Sequence, residues 1–195
     1  MKSVFKKTIL FFIVTLFTFT SYGQEISSGY HGYFDLGYGI GIEGTLTTNR
    51  TQITTIHGYQ VNNNLFFGAG VGLYFTEGFK KDLIGGNYMW KRNNTTEVPL
   101  FADVRYNFLN KKITPFIEGR LGYNLTGSDA FWNIGAGCRF ALKNKNAINV
   151  ALSYESIKLK YDTLKMLVGN YFSNYYYQRE DGVFCAIGLR IGYEF

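Results

Sequence analysis

A chain of 195 residues with 20 Lys and Arg against 14 Asp and Glu has a formal net charge of +6, scattered rather than clustered. That size suits one domain, and the absence of a basic cluster argues against nucleic acid as a partner. Two cysteines and two histidines make neither a disulfide framework nor a metal-ligand set, so no metal and no cofactor are expected.

In chain order, the first segment is "MKSVFKKTILFFIVTLFTFTSYGQ". Lys2, Lys6 and Lys7 precede an apolar run from Ile9 to Phe19, and Ser21 and Gly23 stand at the −3 and −1 positions before Gln24. The run is shorter than the roughly 20 residues that span a bilayer. The pattern predicts a secretory signal peptide over 1–23, removed on export. Its cleavage takes three lysines and leaves 17 basic against 14 acidic residues, a net charge of +3, on residues 24–195. No Cys lies near the cut, so a lipid-anchored N-terminus is not expected.

The rest is rich in glycine and aromatics and alternates with a period of two, which predicts an all-β chain. "YHGYFDLGYGI" puts Tyr30, Phe34, Leu36, Tyr38 and Ile40 on one face, and His31, Tyr33 and Asp35 on the other. A second strand runs from about Thr51 to Val61, where Ile53 and Ile56 differ in parity and suggest a bulge. The next two segments set Leu65, Phe67, Ala69, Val71 and Leu73 against glycines, and Leu100, Ala102, Val104 and Tyr106 against Asp103, Arg105 and Asn107. Ile117, Leu121 and Tyr123 then oppose Glu118 and Arg120; Trp132, Ile134 and Cys138 oppose Asn133 and Arg139. Ile148, Val150 and Leu152 oppose Asn149 and Glu155, and the closing segment 183–195 carries Arg190 and Glu194 on its polar side. That makes eight segments, each long enough for the roughly 9–11 residues with which a tilted strand crosses a bilayer.

Connections alternate in length. Short polar turns at 62–64, 110–114 and 143–146 separate longer stretches at 76–97 and 161–181. An even number of strands with alternately short and long connections predicts an eight-stranded antiparallel up-and-down transmembrane β-barrel. In a soluble barrel of lipocalin type the apolar face would instead point inward. Four features argue for apolar outside. The strand cores carry arginine but no lysine on their polar face, and arginine is the cation suited to enclosed pairing. The charges pair: folding about 110–114 sets Asp103 opposite Arg120 and Arg105 opposite Glu118. Closing the last strand on the first with residue numbers summing to 225 sets Arg190 opposite Asp35, and Glu194 opposite His31. Glycines 68, 70, 72, 135, 137, 188 and 192 share the charged face and leave room for arginines in a narrow lumen. Outward aromatics fall into two belts, Tyr30, Phe67, Phe108, Phe140, Tyr193 and Phe195 on the turn side and Tyr38, Phe75, Tyr123, Trp132 and Tyr154 on the loop side. The lumen network expected is therefore His31, Asp35, Asp103, Arg105, Glu118, Arg120, Arg139, Glu155, Arg190 and Glu194.

Ile187, Leu189, Ile191, Tyr193 and Phe195, apolar at every second position up to a terminal aromatic, resemble the insertion signal that outer-membrane barrels present to their assembly machinery. Over nearly its whole length the mature chain resembles the small OmpA/OmpX-type eight-stranded outer-membrane barrels of diderm bacteria. The resemblance implies an outer-membrane location and contact with membrane lipid, lipopolysaccharide and the barrel-assembly machinery. It carries no peptidoglycan-binding domain, so tethering of the cell wall is not implied.

Chemistry is sparse. Cys138 and Cys185 fall on strands separated by a third, nearly 10 Å apart and too far for a disulfide. His31 and His57 are the only candidates for a general base, as in a membrane-embedded hydrolase that modifies lipid A, but no serine shares the face of His31 in its strand. The outer stretches hold Lys80, Lys81, Tyr88, Trp90, Tyr171, Tyr175, Tyr176 and Tyr177, aromatics and cations suited to surface contacts. The expectation is a monomeric, non-enzymatic envelope protein with a plugged lumen that contacts a surface ligand through long outer loops. The alternatives are the lipid A hydrolase and a narrow pore.

Overall fold

The computed structural model describes residues 26–43, 48–84, 87–127, 129–142, 145–168 and 173–195. The signal segment and Tyr171 lie outside these. Among the described residues eleven strands follow one another: β1 (Gly29–Glu43), β2 (Asn49–Gln60), β3 (Leu65–Thr76), β4 (Phe79–Ile84), β5 (Asn87–Arg92), β6 (Thr95–Glu97), β7 (Pro99–Asn107), β8 (Ile113–Asn124), β9 (Asp129–Ala141), β10 (Ala147–Val168) and β11 (Ser173–Glu194). No helix occurs among the described residues.

Eight of the strands form the barrel. β1, β2, β3, β7, β8, β9, β10 and β11 each run antiparallel to the next, and β11 pairs back onto β1. Closure leaves no sheet edge inside the membrane, where an unpaired backbone group costs several kcal/mol. β6 extends the line of β7 along β3.

Side chains alternate as a period of two demands. Along β7, Pro99, Phe101, Asp103, Arg105 and Asn107 are buried while Leu100, Ala102, Val104 and Tyr106 are exposed. The outward band is apolar, Leu121 reaching 69% exposure. Tyr30, Phe67, Phe108, Phe140, Tyr193 and Phe195 ring the turn end, and Tyr38, Phe75, Tyr123 and Trp132 ring the loop end, all exposed. Ile187, Leu189, Ile191, Tyr193 and Phe195, expected from the sequence to form an insertion signal, all face outward. Cys138 and Cys185 are free and half-buried.

Four expectations are corrected. β2 has no bulge: its ladder with β1 runs unbroken from Gly29↔Gln60 to Ile40↔Asn49. Ile56 points inward with Arg50, Gln52 and Thr54, because the lumen has an apolar layer to receive it. The barrel closes with Tyr33 opposite Glu194 and Gly37 opposite Arg190, two residues from the expected register. Closure is non-local, and no short turn pins it. The outer stretches are sheet rather than loop: β10 and β11 pair continuously from Ala147↔Glu194 to Val168↔Ser173. β4 and β5 form a hairpin whose Lys91 and Trp90 join Asp162 and Thr163 of β10.

The fourth correction concerns the glycines. Some do lie beside charges: a Cβ on Gly135 would stand 3.0 Å from Arg190 Nη2 and from Glu118 Oε1. Others make room for rings instead, since a Cβ on Gly70 would fall 2.5 Å from Phe101 Cζ and one on Gly68 2.7 Å from Phe66 Cζ. The lumen therefore holds a buried cluster of Tyr33, Ile56, Phe66, Phe101, Phe131, Ile157, Leu159 and Phe184 among its charges. At the turn end the segment before β1 is tied to the barrel, the Ile26 amide donating to Asn110 Oδ1 at 2.8 Å.

Candidate functional site

Charges in the lumen are stacked in three tiers. Nearest the turns, Arg139 donates to both oxygens of Glu194, Nε at 2.8 Å and Nη2 at 2.9 Å. His31 Nδ1 lies 3.1 Å from the same carboxylate, and its Nε2 lies 3.0 Å from the Ser27 carbonyl. His31 and Glu194 thus meet diagonally although the register places Tyr33 opposite Glu194.

In the middle tier Asp103 faces Arg120 and Arg105 faces Glu118 across β7 and β8. Arg120 donates through Nε to Asp103 at 2.9 Å and through Nη2 to Asp35 at 2.5 Å. Arg105 donates to Glu118 at 2.9 Å, and Arg190 reaches the other oxygen of Glu118. The expected Arg190–Asp35 pair is therefore replaced: with β11 slid by two residues, Asp35 turns to Arg120 and Arg190 to Glu118.

The outer tier rests on Arg50 and Glu97, which sequence reading missed. Arg50 Nη2 donates to Glu97 at 2.9 Å and Nη1 to Glu155 at 3.4 Å, while Gln52 donates to Glu155 at 2.7 Å. The even parity that Arg50 shares with Gln52 and Thr54 was the signal available.

Rings and guanidinium groups interleave, which explains why aromatics belong in a polar lumen. Arg105 Cζ lies 4.3 Å from the Tyr33 ring centroid and 4.4 Å from that of Phe116. Arg50 sits between Tyr74 and Phe184 at 5.2 and 5.0 Å. A desolvated guanidinium gains about 2 kcal/mol from such a face while its edge keeps its carboxylate. Between Asp35, Arg105, Glu118 and Arg190 the remaining void is only ≈ 10 Å³.

His57 stands on the outer wall. The Tyr30 hydroxyl lies 2.5 Å from its Nδ1 and Thr55 Oγ1 lies 3.0 Å from its Nε2, with the Phe195 ring edge-on at 6.2 Å. Two hydroxyl-bearing side chains, those of Tyr30 and Thr55, hold this imidazole in place on the wall.

Above the barrel, β4, β5 and the distal halves of β10 and β11 form a small sheet. Cations and rings tie its hairpins together: Lys91 Nζ lies 3.3 Å from the Tyr177 ring centroid, and Tyr177 Oη donates to the Tyr88 carbonyl at 3.1 Å. Lys80 Nζ stands 5.3 Å from the Tyr88 ring. Tyr175 and Tyr176 are exposed, and Trp90 and Lys81 are half-buried. Of the expected loop contacts, all except Tyr171 fall in this sheet.

Glu180 anchors the β10–β11 hairpin, with Lys165 Nζ at 2.7 Å, Thr163 Oγ1 donating at 3.1 Å and Tyr161 Oη at 3.4 Å. The Lys165 hydrogen bond holds the Glu180 carboxyl below the usual carboxylate range. A depressed carboxyl pKa contributes stability above its unfolded value and loses it as pH falls through the folded one. Protection of the hairpin amides in hydrogen exchange, corrected for intrinsic rates, should therefore drop in acid. Glu180→Gln should lower protection at neutral pH and flatten the acid dependence; an unchanged profile would mean that the cluster holds nothing.

No family model matches the chain and no curated protein matches it. Among solved structures it is similar to Neisserial surface protein A, with a TM-score of 0.54 and 14% identity over 87% of this chain and 98% of that one. A de novo designed transmembrane β-barrel aligns with a TM-score of 0.44 and 14% identity over 89% and 99% of the two chains. The outer membrane protein AlkL aligns with a TM-score of 0.41 and 15% identity over 90% and 92%. At such identities the likeness to the first is one of fold: a small eight-stranded transmembrane barrel.

Proposed function

We propose that the chain is a monomeric outer-membrane barrel of the small OmpA/OmpX type, whose filled lumen gives a rigid envelope element and whose outer sheet contacts a surface ligand. One observation carries this reading. β10 and β11 are each 22 residues long, about twice what a tilted crossing needs. The excess raises roughly 35 Å of extra hairpin beyond the membrane, at about 3.3 Å per residue. A barrel kept only for structure has no use for such a projection, bearing three consecutive exposed tyrosines at 175–177.

The filled lumen supports a closed barrel over a pore, and the surroundings of His57 and His31 favour a non-enzymatic role. Outer-leaflet lipopolysaccharide and the barrel-assembly machinery are the partners that location implies.

The test replaces residues 79–94 and 164–178 by short linkers. Both forms are then screened for binding to matrix proteins, glycans and lipopolysaccharide. The shortened barrel should still assemble and should lose at least tenfold in binding, while cells expressing either form keep unaltered lipid A by mass spectrometry. Equal binding by both forms would dismiss the outer sheet as the working part.

A further inference from the structure

Between the barrel mouth and the outer sheet lies a cavity of ≈ 370 Å³, walled by β5, β6, the β8–β9 turn and the distal parts of β10 and β11. Its size falls at the low end of small-ligand sites, which run about 300–1,000 Å³.

The lining is cationic. Lys91, Arg92, Lys158, Lys160 and Arg179 face Glu97, Asp129 and Asp162. Glu97 is already engaged, accepting from Arg50 and from Arg92 at 2.9 Å each. Lys91 rests on the Tyr177 ring and Lys160 Nζ donates to the Gly127 carbonyl at 3.5 Å. Asp162 lies opposite both Arg179 and Lys91 in the ladders without an ion pair to either among the described residues. Among the described residues Lys158 and Arg179 are thus the cations without an ion pair, against Asp129 and Asp162, while Arg92 shares the single carboxylate of Glu97 with Arg50.

Arg92 is the decisive residue. It is only 8% exposed, with Nε donating to the Lys160 carbonyl at 3.2 Å and Nη2 to Thr95 Oγ1 at 2.7 Å. Its buried Nη1 has no hydrogen-bond partner among the described residues. A buried guanidinium nitrogen without an acceptor costs about 1–3 kcal/mol or more, and Arg92, as a residue of the cavity wall, acts on an anion there through its positive charge. Burial pushes this guanidinium below the usual arginine range, with Arg50 and Arg179 adding to the effect and Glu97 opposing it.

The neutral lining is suited to hydroxyl groups. Asn93, Thr96, Asn124 and Thr126 supply amide and hydroxyl functions, and Tyr161 adds an aromatic side chain. We propose that this cavity binds a small anionic sugar, carrying a carboxylate or phosphate, whose charge is recognised by Arg92, Lys158 and Arg179. The inference builds on the outer sheet as a recognition element and deepens that reading. Such a group could come from core sugars of lipopolysaccharide in the same leaflet or from a soluble glycan.

The test uses the full mature chain in phosphatidylcholine nanodiscs, titrated with glucose 6-phosphate, glucuronate and glucose while NMR shifts of the β5 and β10 amides are followed. Saturable shifts with the two anionic sugars are expected, with glucose at least tenfold weaker and affinity falling steeply with salt. Arg92→Gln should abolish the difference between charged and neutral sugars. Because Arg92 also holds Glu97, the surface pair Lys158→Gln with Arg179→Gln serves as a second variant and should weaken the anionic sugars at least fivefold. Adding lipopolysaccharide to the nanodiscs separates the sources: competition with glucose 6-phosphate identifies the membrane lipid, and unchanged titration identifies a soluble ligand. Equal binding of glucose and its phosphate, or titrations untouched in the double variant, would overturn the inference. Those outcomes leave the sheet-replacement experiment standing, since loss of binding there does not require this cavity.

Discussion

Arg120→Ala should destabilise the barrel by about 3–5 kcal/mol, the cost of removing one partner from a buried ion pair. Arg120 is 3% exposed and serves Asp35, Asp103 and, at 3.5 Å, Glu118. Its removal strands Asp35 and Asp103 in a closed cylinder, and Asp103 Oδ1 has no partner among the described residues even in the intact network. Both carboxylates are buried, Asp35 at 4% and Asp103 at 1% exposure. The check is urea unfolding in lipid vesicles, read by fluorescence and by the gel mobility of the folded barrel. Replacing the charges together (Asp35→Asn, Asp103→Asn and Arg120→Met) should recover much of the loss, because apolar or neutral groups of similar volume leave no orphaned charge. A single-variant loss below about 1 kcal/mol, the range of exposed pairs, would mean that water reaches the middle tier.

How far this network could be read from the sequence depends on distance along the chain. Asp103–Arg120 and Arg105–Glu118 flank one short turn, so complementary charge and turn length together fix their pairing. Asp35 and Arg190 belong to the two ends of the sheet, and nothing local sets the closure. A slide of two residues preserves every inward–outward assignment, so alternation is blind to it. Long side chains absorb the slide: His31 still meets Glu194, while Asp35 and Arg190 each find a different partner.

Ile56 shows the opposite difficulty. An isoleucine at an inward position of a polar lumen looks like a change of parity, and a bulge is the natural inference from sequence. Its reason lies in Tyr33 and Phe66, side chains from neighbouring strands that make an apolar layer between charged tiers. The outer sheet was hidden for a third cause. Inside the membrane lipid and lumen give the two faces of a strand contrasting chemistry, whereas beyond it both faces meet water. In "KLKYDTLKMLV" little contrast remains to mark a strand. Arg92 and Arg179 stand far apart in sequence and come together only because β5 docks on β10, so the mouth cavity had no sequence signature at all.

The apolar layer makes the second large prediction, a comparison between adjacent residues. Phe66 is 0% exposed and points into the lumen, whereas Phe67 is 48% exposed on the wall. Phe66→Ala should cost about 3–5 kcal/mol, the range for a buried phenylalanine emptied to a methyl. Its ring meets that of Tyr33 edge-on at 5.0 Å and 75°, and Tyr33 in turn covers Arg105, so the cavity loosens a charged tier as well as an apolar one. Gly58 and Gly68 cannot fill the gap, since they have no side chains. Each keeps the ring's place open, a Cβ on either falling within 2.6–2.7 Å of Phe66 Cζ. Phe67→Ala exchanges ring for lipid contact at the turn-end girdle and should cost no more than about 1 kcal/mol. Urea midpoints of the two variants, measured in the same vesicles, decide the matter. If the neighbours lose equal stability, the interior is not a packed core and the rings do not hold the guanidinium groups in place.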